Sequence, residues 1–247
     1  MITAARATLV VTLLAAFASA GARCAEDCVV LLHGLARTAK AMQPMAEYLE
    51  KQGYRVATTD YPSREAPIEE LAPDAVERGL KACRPAKRIH FVTHSMGGIL
   101  VRFYLQDHTI PELGHVVMLA PPNQGSEVVD RFGAVPGFGL LNGPAGKQLG
   151  TDENSVPRAL QAVNFSVGVI AGNKTFNPLL SQALPNPDDG KVSVEAARVE
   201  GMRDFLVVPH SHPFIMRATE VMRQTVFFLR SGRFDRGDEA QSPDERR

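Results

Sequence analysis

Short apolar runs alternate with longer amphipathic stretches from residue 29 to residue 229. Six runs have strand length: Val29–Leu32, Tyr54–Thr59, Ile89–Thr93, His115–Ala120, Val167–Ala171 and Phe205–Val208. Between them, apolar positions recur at helical spacing over Met42–Gln52, Ile68–Ala82, Met96–Gln106 and Phe214–Leu229. Gly53 closes the first of these helices and Pro73 interrupts the second near its start. Strands apolar at nearly every position, alternating with amphipathic helices, predict an α/β fold with a mostly parallel central sheet covered by helices on both faces. In such sheets functional residues collect at the C-terminal ends of the strands. The rhythm breaks over residues 126–165, where Gly133, Gly137, Gly139, Gly143, Gly146 and Gly150 fall with Pro136 and Pro144. This stretch reads as a lid-like or loop excursion over the site, or as an ordinary surface insertion. From Ser231 onward the chain is polar and mixed in charge, and is expected to be a disordered tail.

Composition narrows the classes. The chain has 247 residues, 45% of them hydrophobic, with 27 basic and 27 acidic side chains and no net charge. That suits one domain, about residues 23–230, and offers no basic stretch for nucleic acid. Tryptophan is absent and aromatics make up 6%, so the core must be aliphatic. Residues 1–22 read as a signal peptide: Arg6, then the apolar run Ala7–Ala18, then small residues around Ala18-Ser19-Ala20 and Ala20-Gly21-Ala22. An uncleaved anchor is the alternative. Export, to the periplasm or beyond the cell, favours paired thiols. Cys28 opens the first strand, and Cys83 ends a helix just before the strand leading to Ser95. Adjacent parallel strands bring these starts together, which predicts a Cys28–Cys83 disulfide. Cys24 is then left over or replaces Cys28, and three unpaired thiols are the alternative.

The most informative run is Val92-Thr93-His94-Ser95-Met96-Gly97-Gly98-Ile99-Leu100. A serine where a strand turns sharply into a helix is a nucleophile elbow, with the free N–H groups of the helix aimed at the same point. The plainer reading makes Ser95 only an N-cap. A serine hydroxyl needs a base, and the base needs an orienting carboxylate. Among later histidines, His108 and His115 fall at the wrong edge of the sheet. His210 and His212 follow the last strand at the right edge. His212, beside Pro213 and nearest the closing helix, is the chosen base, with His210 as the alternative. Asp189, before Gly190 and Val192, is the chosen carboxylate over Asp188, Asp152 and Asp204, although Asp-Asp-Gly also reads as a turn. The backbone N–H groups of Leu35 and Met96 are the expected oxyanion donors. His33 reads as a structural ring.

With these pieces in place, the chain resembles the α/β-hydrolase superfamily, and within it the bacterial lipases and esterases, from about Val29 to Leu229. The carriers are His33-Gly34-Leu35, Thr93-His94-Ser95-Met96-Gly97-Gly98, Ala120-Pro121-Pro122-Asn123-Gln124-Gly125-Ser126, Asp189-Gly190-Lys191-Val192 and His212. Two positions depart from the pattern: Thr93 replaces the first elbow glycine, and Asn123 stands where many such lipases have histidine. The resemblance implies an exported serine hydrolase that cleaves carboxylic esters through an acyl-enzyme, on an ester or lipid-like substrate, with transient lipid-surface contact. No cofactor and no metal are expected. An acyltransferase with the same residues, or a non-catalytic binder of hydrophobic ligands, are the alternatives.

Overall fold

The structure is a computed structural model, and it describes residues 26–175, 181–182 and 184–237. Six parallel strands form one sheet in the order β2-β1-β3-β4-β5-β6. They are β1 (Asp27–Leu32), β2 (Arg55–Thr59), β3 (Arg88–His94), β4 (Leu113–Leu119), β5 (Val167–Gly172) and β6 (Asp204–Val208). All six strand expectations are met, with ends shifted by at most two residues. Every residue of β1 is buried. Val29 and Leu31 pack with one core, and Cys28, Val30 and Leu32 with the other. A strand covered on both faces has no polar side to show, so its sequence loses the usual alternation.

Helices α1 (Gln43–Lys51) and α7 (Thr219–Ser231) cover one face of the sheet. Helices α2 (Ile68–Cys83) and α3 (Met96–Asp107) cover the other. Helix α2 runs through Pro73 without interruption: the proline removes one hydrogen bond, while Leu71, Ala72, Ala75 and Val76 around it keep the inner face buried. The closing helix begins at Thr219, five residues later than its apolar pattern suggests. Ile215–Arg217 form a 3-10 turn, and Ala218 is extended (φ −74°, ψ 127°). Ile215 and Met216 are buried as cover for the core, so they carry a helix-like spacing without being part of the helix.

The 126–165 stretch holds three short helices: α4 (Glu127–Phe132), α5 (Phe138–Lys147) and α6 (Val156–Ala159). Helix α5 is kinked at Gly143, whose φ of 68° precedes Pro144. Residues 232–237 pack onto the fold rather than leaving it as part of a disordered tail. Phe234 is buried against Phe228, and the Arg236 guanidinium donates to both carboxylate oxygens of Asp204. The Phe234 N–H also donates to Asp204, and Gln224 exchanges hydrogen bonds with the Asp235 backbone, so specific contacts hold a segment whose composition reads as solvated. The leader, Cys24 and residues 238–247 lie outside the described residues. Among the described residues no helix is long and apolar enough to cross a membrane.

Cys28 and Cys83 are disulfide-bonded, with Cα atoms 5.6 Å apart, tying the start of β1 to the end of α2. The bond closes a loop with a sequence separation of 55. Chain-entropy arithmetic for a loop of that length gives about 4 kcal/mol of stabilisation. The double variant Cys28→Ala/Cys83→Ala is expected to lose roughly 2–4 kcal/mol in urea unfolding. Unchanged unfolding in the variant would mean that this crosslink contributes nothing.

Candidate active site

Strand β3 lies in the middle of the sheet and hands its chain directly to α3. The residue between them is Ser95, with φ 53° and ψ −124°. A non-glycine residue in this region is strained, and strain of order 1–3 kcal/mol persists only where the surroundings enforce it. Here the Ser95 N–H donates to Leu119 O (2.8 Å), which locks the turn to β4. The side chain is left at the C-terminal rim of the sheet, 9% exposed.

Two loops bring partners to it. The loop after β6 carries His212, and the loop beyond β5 carries Asp189. Gly172, at the end of β5, lets both loops approach: a Cβ there would lie 2.3 Å from His210 O and 2.9 Å from Asp189 Cβ. The loops are also joined to each other, since the His212 N–H donates to Asp189 O (3.0 Å). A carboxylate only accepts, so the 2.8 Å contact between His212 Nδ1 and Asp189 Oδ2 places the imidazole proton on Nδ1. That leaves Nε2 bare, 3.0 Å from Ser95 Oγ and able to accept the hydroxyl proton. The other oxygen, Asp189 Oδ1, accepts from the N–H groups of Lys191 (3.0 Å) and Val192 (2.8 Å). Asp189 is therefore aimed by its own turn, and both Asp189 and His212 are buried.

The remaining candidates stand apart. His210 faces Glu220 at 3.7 Å. Asp188 accepts from the Gly190 N–H and the Ser181 hydroxyl, so it shapes the turn. Asp204 is held by Arg236, and Asp152 accepts from the Asn154 N–H. His108 accounts for its Nδ1 with Tyr104 O, and His115 for its Nδ1 with Ser166 Oγ.

The first-strand loop meets the elbow closely. A Cβ on Gly34 would fall 2.8 Å from His94 Nδ1 and 3.1 Å from Ser95 Cβ. His33 is buried and stacks on Tyr61, with ring centroids 4.0 Å apart. Its Nδ1–H donates to Gly34 O, and the Tyr61 hydroxyl donates to His33 O. Burial lowers the His33 pKa against the pull of Asp60, which suits a neutral structural ring. Among the described residues neither the Leu35 N–H nor the Met96 N–H has a hydrogen-bond partner.

Three further side chains steady the site in ways that their sequence positions did not specify. His94 Nε2–H donates to His212 O (3.0 Å), so the residue before the serine steadies the loop that carries the imidazole. Burial first, then the neighbouring His212, Arg37 and Lys191, drives the His94 pKa well below its ordinary value, so this ring is neutral. Asn123 and Arg102 are the other two. The Arg102 guanidinium is buried and donates to Asn123 O and Oδ1, Leu160 O and Gln161 O, while Asn123 Nδ2 donates to Ala197 O. Asn123 thus ties the loop after β4 to the chain near residue 197. Thr93 is fully buried, and among the described residues its hydroxyl has no partner.

Gly97 sets how closely the elbow helix approaches β1. A Cβ there would lie 2.8 Å from the backbone oxygens of both Leu32 and His33. Ala normally stabilises a helix over Gly by about 1 kcal/mol, but backbone atoms cannot step aside. Gly97→Ala is expected to reverse that sign, costing roughly 1–3 kcal/mol by thermal melting. The change would also separate Ser95 from the His33-Gly34-Leu35 turn.

Beside Ser95 lies a cavity with an apolar wall that includes Val128, Val129, Phe138 and Leu149. The 126–165 stretch therefore supplies part of its lining. Among the described residues no cluster of three or more His, Cys, Asp or Glu side chains is placed to hold a metal ion.

A parallel sheet with a strained serine at its central strand-to-helix turn, facing an imidazole and a carboxylate from later loops, defines an α/β-hydrolase architecture. The chain belongs to the alpha/beta hydrolase family, whose sequence profile matches residues 29–239. No curated protein matches it in sequence. Its fold is similar to that of the mature lipase BlEst2 of Bacillus licheniformis (20% identity, TM-score 0.65, 83% of this chain and 92% of that one). It is also similar to phospholipase PlaB of Legionella pneumophila (18% identity, TM-score 0.60, 82% and 57%). The metagenomic carboxyl esterase MGS0156 shares the fold as well (18% identity, TM-score 0.57, 77% and 66%).

Proposed function

We propose that the protein is an exported serine hydrolase of carboxylic esters. The observation that carries this reading is the continuous relay from Asp189 Oδ2 through both nitrogens of His212 to Ser95 Oγ, at 2.8 Å and 3.0 Å. In this mechanism Ser95 Oγ attacks the acyl carbonyl while His212 Nε2 takes its proton. The carbonyl electrons move onto oxygen, and the N–H groups of Leu35 and Met96 hold that oxyanion. Collapse breaks the ester bond, and the leaving alkoxide takes the proton from His212. Water then attacks the acyl-enzyme with His212 as base, the acid leaves, and Ser95 recovers its proton. Asp189 stabilises the imidazolium at each stage. The apolar cavity wall supports an ester or lipid-like substrate, as do the lipase and esterase neighbours by analogy of fold. Contact with a lipid surface is supported by Leu140 and Leu141 on α5, which are 86% and 65% exposed. Export is supported by the Cys28–Cys83 disulfide, which suits an oxidising compartment.

The test uses purified protein with neutral esters of increasing acyl length, with and without a primary alcohol. Release of free acid as the main product is the expected result. Transfer of most acyl groups to the alcohol would replace hydrolysis by acyl transfer. Cleavage of none of the esters would remove the reading.

A further inference from the structure

Two cations stand at the cavity that contains Ser95. Arg37 and Lys191 both line it, and among the described residues no acidic side chain does. Arg37 extends from the turn at the end of β1, its N–H donating to Gly34 O (3.3 Å). Lys191 comes from the turn that aims Asp189. Both residues are exposed, and among the described residues neither side chain has an ion-pair or hydrogen-bond partner.

The nearby acids do not line this cavity. Asp189 is buried and gives its oxygens to His212, Lys191 N–H and Val192 N–H. Asp60 and Glu65 line a neighbouring cavity on the other side of Arg37, and Asp60 Oδ1 accepts from the Ala39 N–H. The two cations also act on each other. Lys191 keeps accessible surface, yet the walls crowd its ammonium; that desolvation first, and then the charge of Arg37, lower its pKa, with Asp189 opposing. A pair of like charges held together without a counter-ion is a place where an anion gains from both and relieves their repulsion. The apolar wall of Val128, Val129, Phe138 and Leu149 adjoins it.

We infer that the substrate is an amphiphilic ester bearing an anionic group, phosphate or carboxylate, which Arg37 and Lys191 bind while its apolar chain lies on the Val128–Phe138 wall. The ester bond in this substrate rests on the proposed hydrolase function; the anion subsite stands on the two cations.

The experiment measures binding to Ser95→Ala protein, so it does not depend on turnover. Calorimetry compares a monoacylglycerol phosphate, the matching neutral monoacylglycerol, and a monoester of a long dicarboxylic acid beside its uncharged diester. At least one anionic member should bind about tenfold or more tightly than its neutral counterpart, and the preference should shrink as salt rises. Adding Arg37→Gln and Lys191→Gln should erase that preference, with thermal melting to show that the protein remains folded. Preference in the phosphate pair alone assigns a phosphoester headgroup; preference in the dicarboxylate pair alone assigns an acidic acyl chain. Equal binding of charged and neutral members, or a preference that survives both substitutions, overturns the inference. Either result leaves ester hydrolysis by the unmodified protein to be judged separately.

Discussion

Ester turnover by Ser95→Ala is expected to fall by about 10⁵-fold in kcat, with the protein still folded. The size follows from how little else could act in its place. Among the described residues Ser126 is the other hydroxyl lining the cavity, and it donates to Lys191 O at 2.6 Å. Among the described residues its hydroxyl has that carbonyl as partner and no base, whereas His212 Nε2 is 3.0 Å from Ser95 Oγ. Water activated by His212 would account for any residual rate, roughly 10³-fold over the uncatalysed reaction if the oxyanion donors still operate. Removing the strained serine should not harm the fold. The Ser95 N–H bond to Leu119 O belongs to the backbone and survives the substitution. Steady-state kinetics beside a melting curve separate loss of chemistry from loss of structure.

The second large effect is expected from Asp189→Asn, at about 10⁴-fold in kcat. The direction can be worked out from the three groups around the carboxylate. Lys191 N–H and Val192 N–H both point at Oδ1, so an asparagine will place its carbonyl oxygen there. Its NH₂ group must then face His212 Nδ1, where a donor already stands. The imidazole has to move its proton to Nε2, and that nitrogen can no longer accept from Ser95. Stability should change little, because the turn keeps both of its N–H bonds. Asp189→Ala, by contrast, loses those bonds as well and is expected to unfold at lower temperature. A drop in kcat with an unshifted melting curve for Asp189→Asn is the distinguishing result.

The sheet was legible in the sequence because burial on both faces writes strands as unbroken apolar runs. Val29–Leu32 and Val167–Ala171 could hardly be read otherwise. The residues that the structure gathers at the rim were legible for a related reason: Ser95, Asp189 and His212 each follow a strand, at the edge where loops converge. What stayed hidden depends on backbone acceptors. His94 donates to a carbonyl 118 residues away, and Arg102 donates to three carbonyls besides the amide of Asn123. Any residue type supplies a carbonyl, so no pairing of side chains betrays such contacts. The one available signal for Arg102 was an arginine inside the apolar run Ile99–Leu105. Cation placement at the cavity was equally invisible, since Arg37 and Lys191 lie 154 positions apart by their numbers (191 − 37) and meet only through the sheet. The closing helix misled for the opposite reason. Ile215 and Met216 have helical spacing but serve as a buried turn, and Phe214 beside them is exposed.

Everything in the catalytic account rests on Ser95 being the activated hydroxyl. The most direct measurement is peptide mapping by mass spectrometry after treatment with a fluorophosphonate probe, on the unmodified protein and on His212→Ala and His210→Ala. A single adduct on Ser95, lost in His212→Ala and kept in His210→Ala, is the predicted result. An adduct on another residue, no adduct in protein that still cleaves esters, or labelling that needs His210 rather than His212 would contradict it.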